Sequence, residues 1–185
     1  MSERRKANVE GALYFVTLTV LDWVDVFTRT ELVEDLLVNI RYCQRHKGLE
    51  LFAYVIMPSH LHLVVRRDEG LLSEWLRDFK SVTAKRILHL IETHPAESRS
   101  EWLLAHFRKR GQEQPQNREF AFWKKDSHPV ELFTRSVIDQ KINYIHMNPV
   151  KAGMVSEPGH YRLSSAHPDG PLVLNGYELF GRAAR

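Results

Sequence analysis

Apolar and polar positions alternate over residues 11–21, "GALYFVTLTVL", with Tyr14, Val16, Leu18 and Val20 on one side and Phe15, Thr17 and Thr19 on the other. That period of two predicts a strand. Over residues 30–47, "TELVEDLLVNIRYCQRHK", the period lengthens and Leu32, Leu36, Ile40 and Cys43 share one stripe. This predicts a helix with Thr30 as its cap and Gly48 as its stop. "LELFAYVIM" and "HLHLVVRR" read as two further strands joined tightly at Pro58 and Ser59, hence a hairpin. A long amphipathic helix follows in "LLSEWLRDFKSVTAKRILHLIETH", with Leu72, Leu76, Phe79, Val82, Ile87 and Leu90 facing inward and an end near Pro95.

Residues 95–118 are polar and charged without a sustained period, although "WLLAHF" can form a helical turn, and this stretch reads as an insertion. Strand character returns at Phe120 to Trp123 and again near Val130 to Phe133. "SVIDQKINYIHMNPVKAG" then predicts a helix capped by Ser136 or Thr134, stopped by Pro149 and finished near Gly153. From about residue 154 the tail reads as an irregular wrap. The order βαββαβ plus a last helix predicts an α+β class: a ferredoxin-like sandwich, with helices on one face of an antiparallel sheet.

Composition changes this picture only modestly. A chain of 185 residues, 43% hydrophobic, builds one core, so residues 1–185 are expected to form a single domain. No apolar run approaches the ~20 residues of a bilayer span, and "MSERRKANVEGALYF" lacks the core of a secretory signal. A cytosolic protein with no membrane partner is the expectation. The single cysteine, Cys43, excludes an internal disulfide framework and a Cys-rich zinc site, so any metal must use nitrogen and oxygen ligands. A net charge of +3 allows a polyanionic partner without demanding one.

The chemistry concentrates in two stretches. In "MPSHLHLVV", His60 and His62 fall on one face of a strand, roughly 7 Å apart at ~3.3 Å per residue, close enough to converge on one divalent ion. A lone pair of this kind more often marks two separately satisfied histidines, so the metal reading needs a third ligand. In "YIHMNPVKAG", Tyr144 and Asn148 are four residues apart and share a helix face, while His146 points away. An Asn148 oxygen beside two imidazoles makes a donor set for Mg²⁺ or Mn²⁺, with imidazole favouring Mn²⁺. Without context, the same two residues fit a packing tyrosine and a helix-terminal asparagine.

Together, "MPSHLHLVV" and, about 80 residues later, "INYIHMNPVKAGMV" resemble the REP-associated tyrosine transposases, single-tyrosine relatives of the IS200-like transposases within the HUH nuclease superfamily. The likeness extends through "YFVTLTV", "WLRDFKSVTAKRI", "FWKKDSHPVELF" and "YRLSSA" and is weakest over residues 95–118. It implies an HUH endonuclease fold, with His60 and His62 as metal ligands and Tyr144 as nucleophile. It places the third ligand at Asn148, where insertion-sequence relatives often carry Gln. Met147 replaces an Asn common in relatives, off the Tyr144 face.

The implied reaction is metal-dependent cleavage and joining of single-stranded or hairpin DNA through a 5′-phosphotyrosine, in the cytoplasm and at the nucleoid. Arg66, Arg67, Lys80, Lys85, Trp123, Lys124 and Lys151 are the candidate DNA contacts, with Arg77, Arg86 and Lys125 as further nearby cations. Two alternatives stay open: a phosphodiesterase in which water attacks, and a hairpin-binding protein without catalysis. Monomer and homodimer, and attack on the chain's own site or a partner's, are equally open.

Overall fold

The computed structural model describes residue 7 and residues 9–114 and 119–176. Its elements are β1 (Tyr14–Thr19), α1 (Thr30–His46), β2 (Leu49–Ile56), β3 (His60–Arg67), α2 (Leu72–Thr93), α3 (Ser100–Gln112), β4 (Val130–Glu131) and α4 (Arg135–Lys151). The strands form one sheet in the order β2-β3-β1-β4, with every adjacent pair antiparallel. The predicted hairpin is the β2–β3 pair, closed where the Met57 amide donates to the His60 carbonyl at 2.8 Å.

Strand alternation sorts the core into two layers. Tyr14, Val16, Leu18, Leu61, Leu63 and Val65 pack with Leu36 and Ile40 of α1 and Phe79 and Ile87 of α2. Phe15, Ala53, Val55 and Val64 face the other way and pack with Ile138 and Ile145 of α4. Helices therefore cover both faces of the sheet, which corrects the expectation that all lie on one. The signal was present in β2 and β3, whose residues Leu51 to Ile56 and Leu61 to Val65 are buried without interruption. Such unbroken apolar runs mark strands covered on both sides. A bulge at Phe52, where the pairing jumps from Leu51 to Ala53, puts Leu51 and Tyr54 in the same layer.

Two further expectations change. The stretch read as an aperiodic insertion holds a 13-residue helix, α3, whose buried positions are Leu103, Phe107 and Gly111. Three contacts at a spacing of four make too narrow a stripe to stand out among charged neighbours. Pro149 lies inside α4 and does not stop it. The proline deprives the Ile145 carbonyl of its helical partner, yet the helix continues to Lys151 and ends where Gly153 adopts φ 71°. Thr134 is the cap, its hydroxyl accepting from the Val137 amide at 3.3 Å.

The tail closes the exposed edge of β2. The Ile56 amide donates to Leu163 O, the Ser165 amide to Tyr54 O, and the Asn175 amide to Leu51 O, at 2.9, 2.9 and 2.7 Å. An edge left open would be a template for pairing with another chain. No helix among the described residues is long and apolar enough to cross a membrane.

Candidate active site

His60 and His62 stand on the α4 face of β3, at the end where that strand leaves the hairpin turn. Their rings lie 4.9 Å apart, centroid to centroid, at 74°. The register places Thr17 of β1 and Val55 of β2 opposite His62. Thr17 Oγ1 is 2.8 Å from His62 Nδ1, and the Phe15 ring stacks on the imidazole at 5.4 Å. With Nδ1 engaged, Nε2 is the His62 nitrogen left for a ligand. His60 Nδ1 is 3.2 Å from Ser59 Oγ.

The fourth helix brings the remaining groups. The Tyr144 ring is 5.2 Å from the His62 ring and 5.8 Å from Phe15, edge-on to both. Although tethered by these contacts, Tyr144 remains 39% exposed. One turn on, the Asn148 side chain hydrogen-bonds to His60. His146 is directed elsewhere, its Nε2 2.9 Å from Ser165 Oγ in the tail. Helical spacing thus does what the sequence pattern anticipated, presenting Tyr144 and Asn148 to the strand.

Electrostatics favour neutral imidazoles. Burial lowers the His60 pKa, opposed by the hydrogen bond to Asn148 and the charge of Asp25. Burial pushes His62 down to about 3, and the charges of His60 and Lys141 act in the same direction. Neutral rings are what metal coordination requires. Among the described residues no three His, Cys, Asp or Glu side chains group as a metal site. Asn148, which hydrogen-bonds to His60, is a further oxygen-bearing side chain at the two imidazoles.

Two cations flank the tyrosine. Lys151 Nζ is 5.8 Å from the Tyr144 ring centroid, and Lys141 Nζ lies 5.9 Å from it and 4.8 Å from that of Phe15. On the opposite side of the histidines, Trp23 meets His60 at 5.1 Å and carries Lys124 Nζ 4.7 Å above its ring. Of the candidate DNA contacts, Lys124 and Lys151 are therefore beside the site.

The others are placed differently. Trp123 is core, 8% exposed, stacked on Phe27, with its indole N–H donating to Thr83 Oγ1 at 3.0 Å. Lys80 donates to the carbonyls of Lys124 and Lys125 and to Ser127 Oγ, so it holds a loop. Arg66 pairs with Glu50 and lies over Phe52, roughly 20 Å along the strand from His60 at ~3.3 Å per residue. Arg67 donates to Leu71 O at 3.0 Å and Glu74 Oε2 at 3.1 Å, fastening the entry to α2. Lys85 is exposed on α2, across the sheet from the histidines.

Thr17, Phe15, Trp23 and Lys141 went unassigned in the sequence. Thr17 carried a usable signal, since it shares the polar-containing face of a strand that any antiparallel partner must meet. Lys141, three residues before Tyr144, was legible from helical spacing. Nothing in the sequence located Trp23.

No protein-family model matches the chain. An Escherichia coli K12 protein named REP-associated tyrosine transposase is 24% identical over 176 residues, spanning 91% of this chain and 85% of its own. A Haemophilus influenzae protein described as a candidate of the same kind is 25% identical over 173 residues, spanning 91% of this chain and 88% of its own. Among solved structures, a REP-associated tyrosine transposase bound to a REP hairpin superposes with a TM-score of 0.61 at 19% identity, covering 90% of this chain and 84% of that one. The chain is thus similar to these transposases over nearly its whole length and shares their fold, as the two motifs implied.

Proposed function

We propose that this chain is a transposase-type enzyme that cleaves and rejoins single-stranded DNA beside a hairpin, with Tyr144 as the nucleophile. The observation that carries the reading is the meeting of Tyr144 and Asn148 with His62 and His60 in one chain. The match to a transposase solved on a REP hairpin supports hairpin DNA as the substrate class.

Tyr144 Oη attacks the scissile phosphorus, the bond to the leaving 3′ oxygen breaks, and the phenolic proton is lost as that oxygen gains one. The product is a 5′-phosphotyrosine and a free 3′-OH. Because the phosphodiester bond energy stays in the covalent link, a 3′-OH can reverse the step and join strands without a nucleotide cofactor. His60, His62 and Asn148 would hold Mg²⁺ or Mn²⁺, which when bound supplies Lewis-acid stabilisation of the charge on the phosphate and the leaving oxygen. Phe15 and Thr17 keep the His62 ring in position, and Lys141 and Lys151 bind backbone phosphate around the nucleophile. On this reading Tyr144 serves the histidines of its own chain, so a monomer cleaves, while a homodimer can serve strand exchange. The reaction belongs in the cytoplasm, at the nucleoid.

The test is a denaturing gel of the protein with labelled hairpin DNA and Mn²⁺, beside Tyr144→Phe and His62→Ala. A label that migrates with the wild-type protein and with neither variant is the expected result. Cleavage without attachment would make water the nucleophile, and hairpin affinity without cleavage in Mg²⁺ or Mn²⁺ would make the chain a binding protein.

A further inference from the structure

Next to the histidines, two consecutive residues sit in the left-handed region: Asp22 at φ 56° and Trp23 at φ 60°. Glycine occupies that region freely, but a bulky aromatic residue does so at a cost and persists only where its surroundings impose it. Arg110 of α3 pairs with the Asp22 carboxylate, Nε to Oδ2 at 2.9 Å and Nη2 to Oδ1 at 3.2 Å. His106, one turn earlier, places Nε2 3.1 Å from the same carboxylate. At the far end of the loop, Arg99 donates to the Asp25 carbonyl at 2.8 Å and to Thr28 Oγ1 at 3.3 Å. The third helix and its N-cap residue Arg99 therefore grip residues 22–28 from both ends.

What this grip presents is an indole 54% exposed to solvent, against His60, with the Lys124 ammonium above it. Burial does not explain the ring's position, since packing it inward would stabilise more. Its position does fit a ligand that has a flat π-face and an anion. Resting on the reading of the site as a DNA-cleaving centre, we infer that Trp23 is a stacking platform for one unpaired base next to the scissile phosphate. The base takes the place of Lys124 over the ring, and the displaced ammonium pairs with a neighbouring phosphate. Stacking of this kind orients the strand without demanding a particular base, since every base has a π-face. Arg110 is then a positioning residue acting through Asp22.

The experiment uses the full chain and a labelled hairpin with single-stranded flanks that the wild type cuts in Mn²⁺. Each flanking nucleotide is replaced in turn by an abasic site, and cleavage rates are measured for wild type, Trp23→Ala, Trp23→Phe and Arg110→Ala. At one position next to the cut, the abasic substitution slows the wild type by about tenfold, within the range expected for one stacked base. Trp23→Ala slows cleavage of the intact strand by a similar factor but is not slowed further by that lesion. Trp23→Phe recovers much of the loss, and Arg110→Ala loses part of the coupling at that position alone. Losses that multiply at every position would overturn the platform while leaving the active site standing. If the wild type neither binds nor cuts any hairpin, the reading of the site fails and the platform with it.

Discussion

Replacing Thr17 by Val tests whether the histidine site is preorganised by its neighbouring strand. The change keeps the β-branched shape that β1 favours and removes one atom, Oγ1, that lies 2.8 Å from His62 Nδ1. His62 is only 5% exposed, so water cannot readily replace the lost partner. The net loss of such a hydrogen bond is about 1 kcal/mol, and leaving a buried ring nitrogen unsatisfied costs about 1–3 kcal/mol. Because Phe15 and Tyr144 still confine the ring, we expect the low end of that range in urea unfolding. If the two histidines hold a metal as proposed, its binding suffers more. Partners that orient a ligating histidine typically contribute about 10–100-fold in metal affinity or activity. The assay is a Mn²⁺ titration of hairpin cleavage, read as the half-saturating concentration for wild type and Thr17→Val. A rightward shift of about tenfold or more, with the maximal rate partly preserved, is expected. Superimposable titrations would mean that Oγ1 does not orient His62 and would refute the reasoning.

Lys141→Ala and Lys151→Ala should each remove about one phosphate contact, lowering the slope of log affinity against log salt by about 0.7 for single-stranded DNA. Lys85→Ala, across the sheet, should leave that slope unchanged. Trp123→Phe keeps most of the packing but drops the indole bond to Thr83, so it should cost about 1 kcal/mol in thermal unfolding with DNA affinity unaltered. An affinity loss there would restore Trp123 as a DNA contact. For Lys80, burial lowers the ammonium pKa from 10.5 to about 8. Between those values the unfolded chain binds more protons than the folded one, so this group makes stability rise with pH, and its contribution is lost as pH falls through about 8. Urea midpoints of wild type relative to Lys80→Met should therefore climb across that window, and parallel curves would contradict it.

The grouping of the candidate site residues was legible because it rests on two local periods. A repeat of two in "HLHLVV" placed His60 and His62 together, and a spacing of four placed Asn148 beside Tyr144; both relations are set by backbone geometry alone. How the helix and the strand would meet depended on the sheet being covered on both sides. The continuous burial of β2 and β3 implied that second layer, but no single residue announces which helix supplies it. Register is what delivers Thr17 to His62, and register is a property of two strands that no one strand displays.

The charged candidates failed to stay together for a different reason. Lys and Arg have stems long enough to reach a carbonyl, a carboxylate or a phosphate from the same backbone position, so their sequence position does not choose among those partners. Arg66 found Glu50, Arg67 found Glu74, and Lys80 found the loop at 124–127. The Lys80 bonds do indirect service to the site. By fixing the loop, Lys80 places Lys124 above Trp23, and the Lys124 amide donates at 2.8 Å to Thr19 O at the end of the strand that carries Thr17. A cation that looked like a DNA contact in the sequence thus positions another cation that borders the site. Loosening Lys80 should accordingly weaken DNA binding through Lys124, without removing a contact of its own.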